Sequence, residues 1–598
     1  MTDSTASTRT PRTRVVVVGN GMVGSRFVDD LLTRDGPDAR FEVTVLGAEA
    51  YEPYNRVLLS EVVAGKVEVA SLALPALVHP RASVHRGAVA ARIDRAARAV
   101  HAADGAVHRY DALVLATGSS ARIPAITGLA SELTSELGAA CATGSGEPAP
   151  GRPAALPRGV HALRTLDDAR EIVGAAVNAR RAVVIGAGVL GLEVACGLAR
   201  RGLGVSVVHG GPSLMDRQLD SDAGAVAAAT LTRLGVSMHL AARTTAVHLV
   251  DGRLASLRLT QPDGEHSLSV DLVVLACGTV PETRLAADAG LPVDRGIIVD
   301  DALCSPGDRR IFAVGDCAQP PEGGTGLIAQ GWDQSRRLAD HLAASSTLAV
   351  DAPGSARVRL GGVQLDPGRA SMALRLSMNV VTRAAVSPLS GAAPSATSTE
   401  PEAPRGTDVV RLKAAGLDVV TMGVCGARRA LDPSHRTVRL SDPSAGRHVE
   451  VVVADGVVVG ATCVGAPQIG ADLTAAYTRR TPVPADPAYL LLQPVASATT
   501  TASDPTHMPG RTTVCRCNSV TKTAIVDSWR GGARSVADVA AATRATTGCG
   551  GCTDVVCGLV DWLGAADPEQ ADPHGSERND RETWEVPDRN LGDLPSVT

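Results

Sequence analysis

The sequence predicts an α/β protein that contains two consecutive strand–turn–helix domains, a small α+β domain and a small helical domain with four cysteines. Three observations lead to this prediction. A glycine-rich turn follows a run of valines near the N-terminus, the same pattern recurs further along the chain, and two cysteine pairs lie near the C-terminus. A strand, a glycine turn and a helix in this order can bind a pyrophosphate at the helix N-terminus.

Bulk composition limits the possible functions. The chain has 598 residues, which suggests about three or four domains. Its net charge of −5 and its aromatic content of 2% give no reason to expect nucleic-acid binding. No apolar run has transmembrane length and the N-terminus lacks a secretory signal, so we expect a cytoplasmic protein without membrane contact. The twelve cysteines are then expected to be reduced thiols or metal ligands.

The first glycine turn is Gly19-x-Gly21-x-x-Gly24, directly after the strand-like run VVVV. Its glycines permit a tight turn, the approach of a pyrophosphate, and close packing of the helix on the strand. Glu49 ends the next apolar run, where a carboxylate can bind a ribose.

Two later segments extend this first site. ATGSSARIP follows a strand as another glycine turn and contains Thr117 and Gly118. IFAVGDCA places Gly315 and Asp316 at the end of a short apolar strand. The carboxylate there can accept hydrogen bonds from a polyol.

These three segments resemble the FAD-binding segments of the two-dinucleotide-domain flavoprotein reductases. The resemblance implies nested Rossmann-like FAD and NAD(P)H domains. It also implies that the Asp316 carboxylate binds the ribityl chain of the flavin. YEPYNRVLLSEVVAG is similar to the segment that lies along the flavin in rubredoxin-reductase-like members, with Arg56 and Ser60 at matching positions. Many relatives carry a lysine after that serine, whereas this chain has Glu61, which puts flavin tuning by that lysine in doubt.

The second turn, Gly186-x-Gly188-x-x-Gly191, resembles the NAD(P)H site of the same family. The resemblance places Glu193 near the nicotinamide, and an ordinary exposed helix residue is the alternative. Gly278, in the strand-end segment LVVLACGTVPET, is included in the same predicted site.

Nucleotide preference normally depends on the end of the next strand, where an acid binds the ribose 2′-OH and an arginine accepts a 2′-phosphate. This chain has His209 there, with Arg217 nearby but not at the diagnostic position. We expect NADH to be preferred over NADPH.

A disulfide reductase of this fold would need a paired redox dithiol beside the flavin. The cysteines of the two predicted nucleotide domains and the segment between them form no C-x-x-C or C-x4-C pair: Cys141, Cys196, Cys277, Cys304 and Cys317. Free cysteines are usually buried, so disulfide reduction is not expected.

Cys515 and Cys517 form a C-x-C pair, and Cys549 and Cys552 form a C-x-x-C pair. Four thiolates can hold a [2Fe–2S] cluster or Zn²⁺. The spacing and the phrase VCRCNSVTK resemble the bacterioferritin-associated-ferredoxin type of [2Fe–2S] domain. This resemblance favours the cluster over the alternatives of zinc and bare thiols.

The predicted domain boundaries follow from these motifs and from changes in composition. They are a disordered tail at 1–13, an FAD-binding domain at 14–128 and 292–345, an NAD(P)H-binding domain at 158–291, an α+β domain at 355–480 with a disordered insert near 387–407, a linker at 481–510, a [2Fe–2S] domain at 511–565, and a tail at 566–598.

The order of these parts resembles the flavoprotein half of the NAD(P)H-dependent nitrite reductase large subunit and the electron-transfer subunit of assimilatory nitrate reductase. PYNRVLLSEVVAG, VVHGGPSLMDRQLD and VVRLKAAGLDVVTMGV carry this resemblance. The C-x5-C and C-x3-C cysteines of a sirohaem and [4Fe–4S] domain are not in this sequence. We therefore expect an NAD(P)H-dependent FAD/[2Fe–2S] oxidoreductase that donates electrons to a separate terminal reductase.

A molybdenum-dependent nitrate reductase is the first candidate for that partner. A nitrite reductase or a rubredoxin- or ferredoxin-type carrier is an alternative acceptor. Two other classes remain as alternatives: a subunit of a heteromeric amine or amino-acid dehydrogenase, and a redox-sensing interaction protein.

Overall fold

A computed structural model of the chain divides into two compact units, Met1–Ser497 and Ala498–Thr598. The described residues are 12–36, 39–129, 156–344, 359–360, 363–364, 406–414, 416–426, 432–491, 508–515, 518, 520–548 and 552–566. Most of the predicted insert near 387–407, of the predicted linker and of the predicted tails lies outside them.

A six-stranded sheet begins the first unit, and all but one of its strand pairs are parallel. The valines of Thr13–Val18 are all buried, as expected for a parallel strand that is covered on both faces. The strand order is Cys304–Ser305, Asp308–Ala313, Ala112–Leu115, Thr13–Val18, Phe41–Gly47 and Ala82–Arg86. The chain therefore leaves this sheet and returns to it.

The residues between these two segments form a second sheet, which is fully parallel. Its strand order is Val236–His239, Gly204–Val208, Arg181–Ile185, Leu272–Leu275 and Val160–Ala162. A three-stranded antiparallel sheet shares a core with it, and its strands are Arg243–Val250, Arg253–Gln261 and Gly264–Ser269.

Short strands and helices complete the first two-thirds of the chain. The remaining paired strands are Ala90–Asp94, Ala99–Ala102 and Val107–Arg109; Ser119–Ala121 with Thr279–Pro281; Ile297–Ile298 with Ala318–Gln319; and Arg359–Leu360 with Val363–Gln364. The α-helices are Met22–Asp35, Leu59–Val63, Leu166–Ala176, Val189–Arg200, Ser221–Arg233, Arg284–Asp288 and Ile328–Ala344. Single 3₁₀ turns cover Arg56–Leu58, Val69–Leu72 and Gly315–Cys317.

A five-stranded antiparallel sheet ends the first unit. Its strand order is Val410–Ala414, Leu417–Gly423, Val457–Val464, Arg447–Ala454 and Arg436–Asp442. One face packs against the helix Pro467–Arg479 and the 3₁₀ turn Pro487–Leu491. Leu412, Val419 and Val464 belong to the same core as the helices of the second parallel sheet. Burial of apolar surface thus joins this sheet to the nucleotide-domain layers.

The second unit is a small helical domain with a two-stranded ribbon. Its elements are the strands Thr513–Cys515 and Val520–Thr521 and the helices Lys522–Arg530, Val536–Thr543 and Thr553–Ala566. Ile525, Val539 and Leu559 are fully buried at its centre.

The predicted α/β class is confirmed, with one mostly parallel sheet, one fully parallel sheet, a small α+β layer and a small helical domain. Within the described residues, no helix is both long enough and apolar enough to span a bilayer.

Candidate functional site: two glycine turns, a cleft and a cysteine site

The two glycine turns share one backbone geometry. Gly19 and Gly186 have φ angles of +118° and +115°, a region that residues with a side chain rarely adopt. A Cβ at Gly19 would collide with the carbonyl oxygen of Ala116, and one at Gly186 with that of Ala276. Both turns therefore press their backbone against a neighbouring strand end in the same way.

Each turn leads directly into a helix whose N-terminus is open. Gly21 and Gly188 are the N-cap residues, and no side chain caps either helix. A Cβ at either position would meet nothing within 4 Å. Uncapped N–H groups and the helix dipole attract an anion, and the free space lets a pyrophosphate approach. Gly24 and Gly191 instead pack against the turn itself, where a side chain would collide with a carbonyl oxygen.

A cleft of about 1730 Å³ lies beside the first turn. Most of the predicted FAD-site residues line it: Gly19, Gly21, Glu49, Arg56, Thr117, Gly118, Gly315 and Asp316. Gly24 and Ser60 are not among the lining residues. The volume exceeds the roughly 300–1,000 Å³ of common small-ligand pockets, and an extended dinucleotide such as FAD fits a cleft of this size.

Glu49, which lines the cleft, has two side-chain partners. Tyr54 Oη donates a hydrogen bond to Glu49 Oε2 at 2.8 Å, and Arg56 Nη2 forms an ion pair with Oε1. The Arg56 guanidinium lies 4.7 Å from the centre of the Tyr54 ring. Burial raises the pKa of Tyr54, so its hydroxyl remains a donor. The structure thus brings the predicted Glu49 and Arg56 together, and it adds Tyr54, which the sequence analysis missed.

Asp316 is held by two donors in the same cleft. Ser119 Oγ donates to Asp316 Oδ2 at 2.8 Å, and Arg164 Nη2 lies 2.7 Å from the same oxygen. Arg164 Nε also donates to the carbonyl of Ser119 at 2.8 Å. The sequence analysis missed Arg164, which lies between the strand Val160–Ala162 and the capped helix Leu166–Ala176.

The main chain of Gly315 is fixed from the helix behind it. The Gly315 N–H donates to Gln334 Oε1 at 2.7 Å, and Gln334 is 1% exposed on the helix Ile328–Ala344. This contact positions the backbone immediately before Asp316.

Ser60 and Glu193 contact each other. Ser60 Oγ donates to Glu193 Oε2 at 2.6 Å, and both residues are buried, Glu193 at 9% exposure. The alternative that Glu193 is an ordinary exposed helix residue is therefore wrong. Glu61, at the position where many relatives carry lysine, pairs with Lys66 at 3.0 Å.

Gly278 lies in the link between the two parallel sheets, where Ser119–Ala121 pairs with Thr279–Pro281. Its carbonyl accepts a hydrogen bond from the N–H of Arg122 at 2.9 Å. Thr117 Oγ1 donates to the carbonyl of Glu282 at 2.7 Å. One of these bonds joins two main-chain groups and the other comes from the Thr117 side chain, and both lie in the link between the two predicted nucleotide sites.

His209 follows the strand Gly204–Val208 and faces a carboxylate. Its Nδ1 lies 3.5 Å from the N–H of Ala187, and its Nε2 lies 3.6 Å from Asp216 Oδ2. Asp216 comes from the MDRQLD segment and its side chain is 43% exposed. The Asp216 carboxylate therefore lies next to the end of the strand Gly204–Val208, although Asp216 itself belongs to the loop that follows.

Two of the four predicted cluster ligands lie in the described residues. Cys515 ends the strand Thr513–Cys515, and Cys552 immediately precedes the helix Thr553–Ala566. Both are buried, at 2% and 7% exposure. Cys517 and Cys549 lie outside the described residues.

The surroundings of Cys515 favour its thiolate. A hydrogen bond with Cys552 is the largest cause that lowers the pKa of Cys515 to about 6, and backbone N–H groups of Asn518 and Thr546 add to it against the cost of burial. Asn518 Nδ2 also lies 3.7 Å from Cys515 Sγ. Because the thiolate is the form that binds metal, this local chemistry fits a metal-cluster ligand.

The cysteines of the nucleotide domains have the opposite character. Burial raises the pKa of Cys196 and Cys304 to about 11, and it raises the pKa of Cys317 as well. Cys317 Sγ lies 3.4 Å from the carbonyl oxygen of Leu115 and is fully buried. Protonated, buried thiols of this kind have a packing role, and the described cysteines include no disulfide.

Two open glycine turns, one large cleft and a separate thiolate site define an oxidoreductase that uses dinucleotide cofactors. The family model "pyridine nucleotide-disulphide oxidoreductase" matches residues 13–339, and the chain belongs to this family. A second model, "BFD-like [2Fe-2S] binding domain", matches residues 513–561. The predicted cofactors FAD, NAD(P)H and a [2Fe–2S] cluster are confirmed by these two matches.

Similar proteins include nitrogen-oxide reductases and ferredoxin-type reductases. The chain is 29% identical to Bacillus subtilis nitrite reductase [NAD(P)H] over 547 residues. The matched region covers 91% of this chain and 57% of that protein. It is 28% identical to the Bacillus subtilis assimilatory nitrate reductase electron transfer subunit, over 92% of this chain and 60% of that protein. The chain thus spans less than two thirds of the length of these two relatives. It is 35% identical to rhodocoxin reductase of Rhodococcus erythropolis, over 56% of this chain and 73% of that protein.

Solved structures show the same fold. A ferredoxin reductase from Rhodopseudomonas palustris has a TM-score of 0.55 at 21% identity, covering 76% of this chain and 91% of that one. A chain of the covalent putidaredoxin reductase–putidaredoxin complex has a TM-score of 0.57 at 20% identity, covering 80% of this chain and 96% of that one.

Proposed function

We propose that this chain takes electrons from NADH and delivers them to a separate terminal reductase, with an assimilatory nitrate reductase as the first candidate. The observation that carries the proposal is the presence of two dinucleotide turns and a thiolate-forming cysteine site in one chain. The similarity to the Bacillus subtilis electron transfer subunit supports the choice of partner. A cytoplasmic location is part of the proposal.

FAD and a [2Fe–2S] cluster, when bound, supply two-electron acceptance from a nicotinamide and one-electron transfer onward. Within the proposal the FAD contacts are Gly19, Gly21, Gly24, Glu49, Arg56, Ser60, Thr117, Gly118, Gly315 and Asp316. The NAD(P)H contacts are Gly186, Gly188, Gly191, Glu193, His209 and Gly278, and the cluster ligands are Cys515, Cys517, Cys549 and Cys552.

The cleft residues in this proposal orient a cofactor, and none of them is required to transfer a proton. Asp316 presents a carboxylate to hydroxyl groups, and Arg164 and Ser119 hold that carboxylate in place. Charge-assisted hydrogen bonds are the stronger kind, so this network can fix the position of a polyol. Glu49, with Tyr54 and Arg56, plays the same orienting role among the residues that line the cleft.

The contact between Ser60 and Glu193 joins the flavin segment to the helix of the second turn. Glu193 lies near the start of Val189–Arg200, and Ser60 lies in Leu59–Val63. In the proposal, this buried hydrogen bond sets the distance between the two predicted cofactor sites.

We propose a preference for NADH because of the charge beside His209. A ribose 2′-phosphate at this strand end would meet the Asp216 carboxylate, whereas a 2′-hydroxyl could donate to it. Arg217 follows Asp216 directly, and the described residues show no ion pair between these two side chains.

Reconstituted electron transfer tests the proposed partner. Purified holoprotein, NADH and a catalytic nitrate reductase without its own electron donor should produce nitrite at a rate that depends on this chain. A nitrite reductase haem component, suggested by the similarity to Bacillus subtilis nitrite reductase, should be tested in parallel with nitrite as substrate. Faster reduction of nitrite would identify the second acceptor instead, and reduction of neither would contradict the proposal of a nitrogen-oxide reductase partner.

A further inference from the structure

A compact charged cluster lies away from the cleft, where the antiparallel sheet meets the layer of the second parallel sheet. The strands Arg436–Asp442 and Arg447–Ala454 are antiparallel neighbours, and their register sets Ser441 opposite His448 and Arg439 opposite Glu450. Alternation along a strand places these four side chains on one face. That face meets the N-terminus of the helix Ser221–Arg233, which Asp220 caps.

Three of these side chains offer donor atoms to a metal ion. One ligand atom each from Asp220, His448 and Glu450 lies within 4.8 Å of the others. His448 is 0% exposed and Glu450 is 1% exposed. Donors in a tetrahedral zinc site lie roughly 3–3.5 Å apart, given zinc–ligand distances of about 2.0–2.2 Å. Small rotations of the two carboxylates could bring the three donors to that spacing.

The hydrogen bonding of His448 is an independent observation that points to a bound ligand. Its Nδ1 lies 3.2 Å from Ser441 Oγ, whereas its Nε2 is buried and has no hydrogen-bond partner. A buried polar atom without a partner is costly and uncommon. With a proton on Nδ1 shared with Ser441, Nε2 carries a lone pair, which is how histidine binds metals when its other nitrogen is hydrogen-bonded.

The charge of the cluster is also suited to a divalent cation. Arg439 contacts Asp220 at 3.3 Å, Asp222 at 2.6 Å and Glu450 at 2.5 Å. Three carboxylates face one guanidinium, which leaves an excess of two negative charges when His448 is neutral. A carboxylate has lone pairs for more than one partner, so Arg439 can remain bound while a metal ion takes another position.

We propose that Asp220, His448 and Glu450 form a zinc site that clamps the antiparallel sheet to the helix Ser221–Arg233. One imidazole and two carboxylates are a donor set that zinc accepts, and hard oxygen-only sites suit magnesium or calcium better. Asp220 comes from one layer and the other two ligands come from the other, so the ion would connect two parts of the first unit. This site is independent of the electron-transfer function proposed above.

Metal analysis of the full-length holoprotein tests this proposal. After dialysis against metal-free buffer, the protein is titrated with zinc chloride in excess magnesium, and bound zinc and iron are measured together. We expect one zinc per chain with unchanged iron. The zinc X-ray absorption spectrum should show oxygen and nitrogen neighbours at about 2.0–2.1 Å. Zinc with sulfur neighbours at about 2.3 Å would indicate binding by cysteines and would overturn the proposal.

Asp220→Asn is the informative variant because asparagine caps a helix as well as aspartate does. It should retain its bound FAD but raise the Kd for zinc at least about tenfold, through loss of a ligand charge. Asp263→Asn is the matched control, since Asp263 pairs with His266 at 3.0 Å on the exposed surface. An Asp220→Asn protein that binds zinc like the wild type, or a wild type that binds no zinc, would overturn the proposal.

Discussion

Asp316 shows how single residues prepare the cleft for a ligand. Its carboxylate already has Ser119 and Arg164 as donors, so its position does not depend on the ligand. Ser60 and Glu193 do the same for the connection between the two turns, inside the protein and away from solvent. Charged and hydroxyl side chains are therefore fixed by contacts between elements that are distant in sequence.

The first prediction concerns Asp316. Asp316→Asn keeps the shape of the side chain but removes the charge that pairs with Arg164. A hydrogen bond to a charged group contributes about 1.5–3 kcal/mol, so the Kd of the apoprotein for FAD should rise roughly 10- to 100-fold. Flavin fluorescence during titration of apoprotein with FAD measures it. Asp294→Asn is the control, because Asp294 bonds Gln319 at 3.1 Å on the surface. Equal Kd values for wild type and Asp316→Asn would contradict this role.

The second prediction concerns Ser60. Ser60→Ala removes the hydroxyl that donates to the buried Glu193 carboxylate. Loss of a partner by a buried acceptor costs about 1–3 kcal/mol, so the Tm of the first unit should fall by a few degrees, roughly 2–4 °C per kcal/mol. Release of flavin fluorescence on heating measures this transition. Ser83→Ala, whose exposed hydroxyl lies 3.1 Å from His85, should leave Tm unchanged. A Ser60→Ala protein with the Tm of the wild type would show that the bond contributes nothing.

At the scale of single elements, the sequence predicted what lies within one strand–turn–helix unit. The roles of Gly19 and Gly186 could be predicted because they depend only on the local spacing of glycines. Arg164 and Asp216 were not identified as site residues, because each reaches the site from a different element and only the packing of elements brings it there. Loop residues that complete a site from a distance leave no spacing signal in a single sequence.

Asp216 carries the third prediction, which concerns the end of the strand Gly204–Val208. Asp216→Arg should reverse the charge next to His209 and favour a 2′-phosphate. The ratio of kcat/KM for NADH to kcat/KM for NADPH should fall at least about tenfold, since each tenfold step corresponds to about 1.4 kcal/mol. Asp263→Arg reverses an exposed charge that also pairs with a histidine, and it should leave the ratio unchanged. A wild-type ratio in Asp216→Arg would remove Asp216 from nucleotide selection.

The fourth prediction concerns the helix Thr553–Ala566. Cys552 immediately precedes it and is buried beside Cys515, whereas Cys557 lies within it and is partly exposed. Cys552→Ser should lose iron and acid-labile sulfide, yet its flavin should still bleach with NADH. Cys557→Ser should keep a full complement of both. Loss of the cluster in Cys557→Ser with retention in Cys552→Ser would invert the proposed ligand set.

For the whole molecule, the order of the motifs along the chain was enough to predict the α/β class and the family. The packing of the antiparallel sheet against the helices of the second parallel sheet was not predicted, because it depends on apolar faces such as those of Leu412 and Val464 meeting across the unit. The charged cluster at that boundary was also missed, since Asp220 and His448 lie far apart in the sequence. Contacts between residues that are far apart in the sequence produce no local periodicity from which they could be predicted.

The most direct test of the central claim is an anaerobic titration of the purified holoprotein with NADH, followed by visible and EPR spectroscopy. The proposed path from nucleotide through the cleft to the cysteine site predicts bleaching of the flavin absorbance and a rhombic signal of a reduced [2Fe–2S] cluster. Flavin bleaching without that signal in a protein that contains iron and sulfide would contradict transfer to the cysteine site. No bleaching with either NADH or NADPH would contradict the pyridine-nucleotide reaction itself.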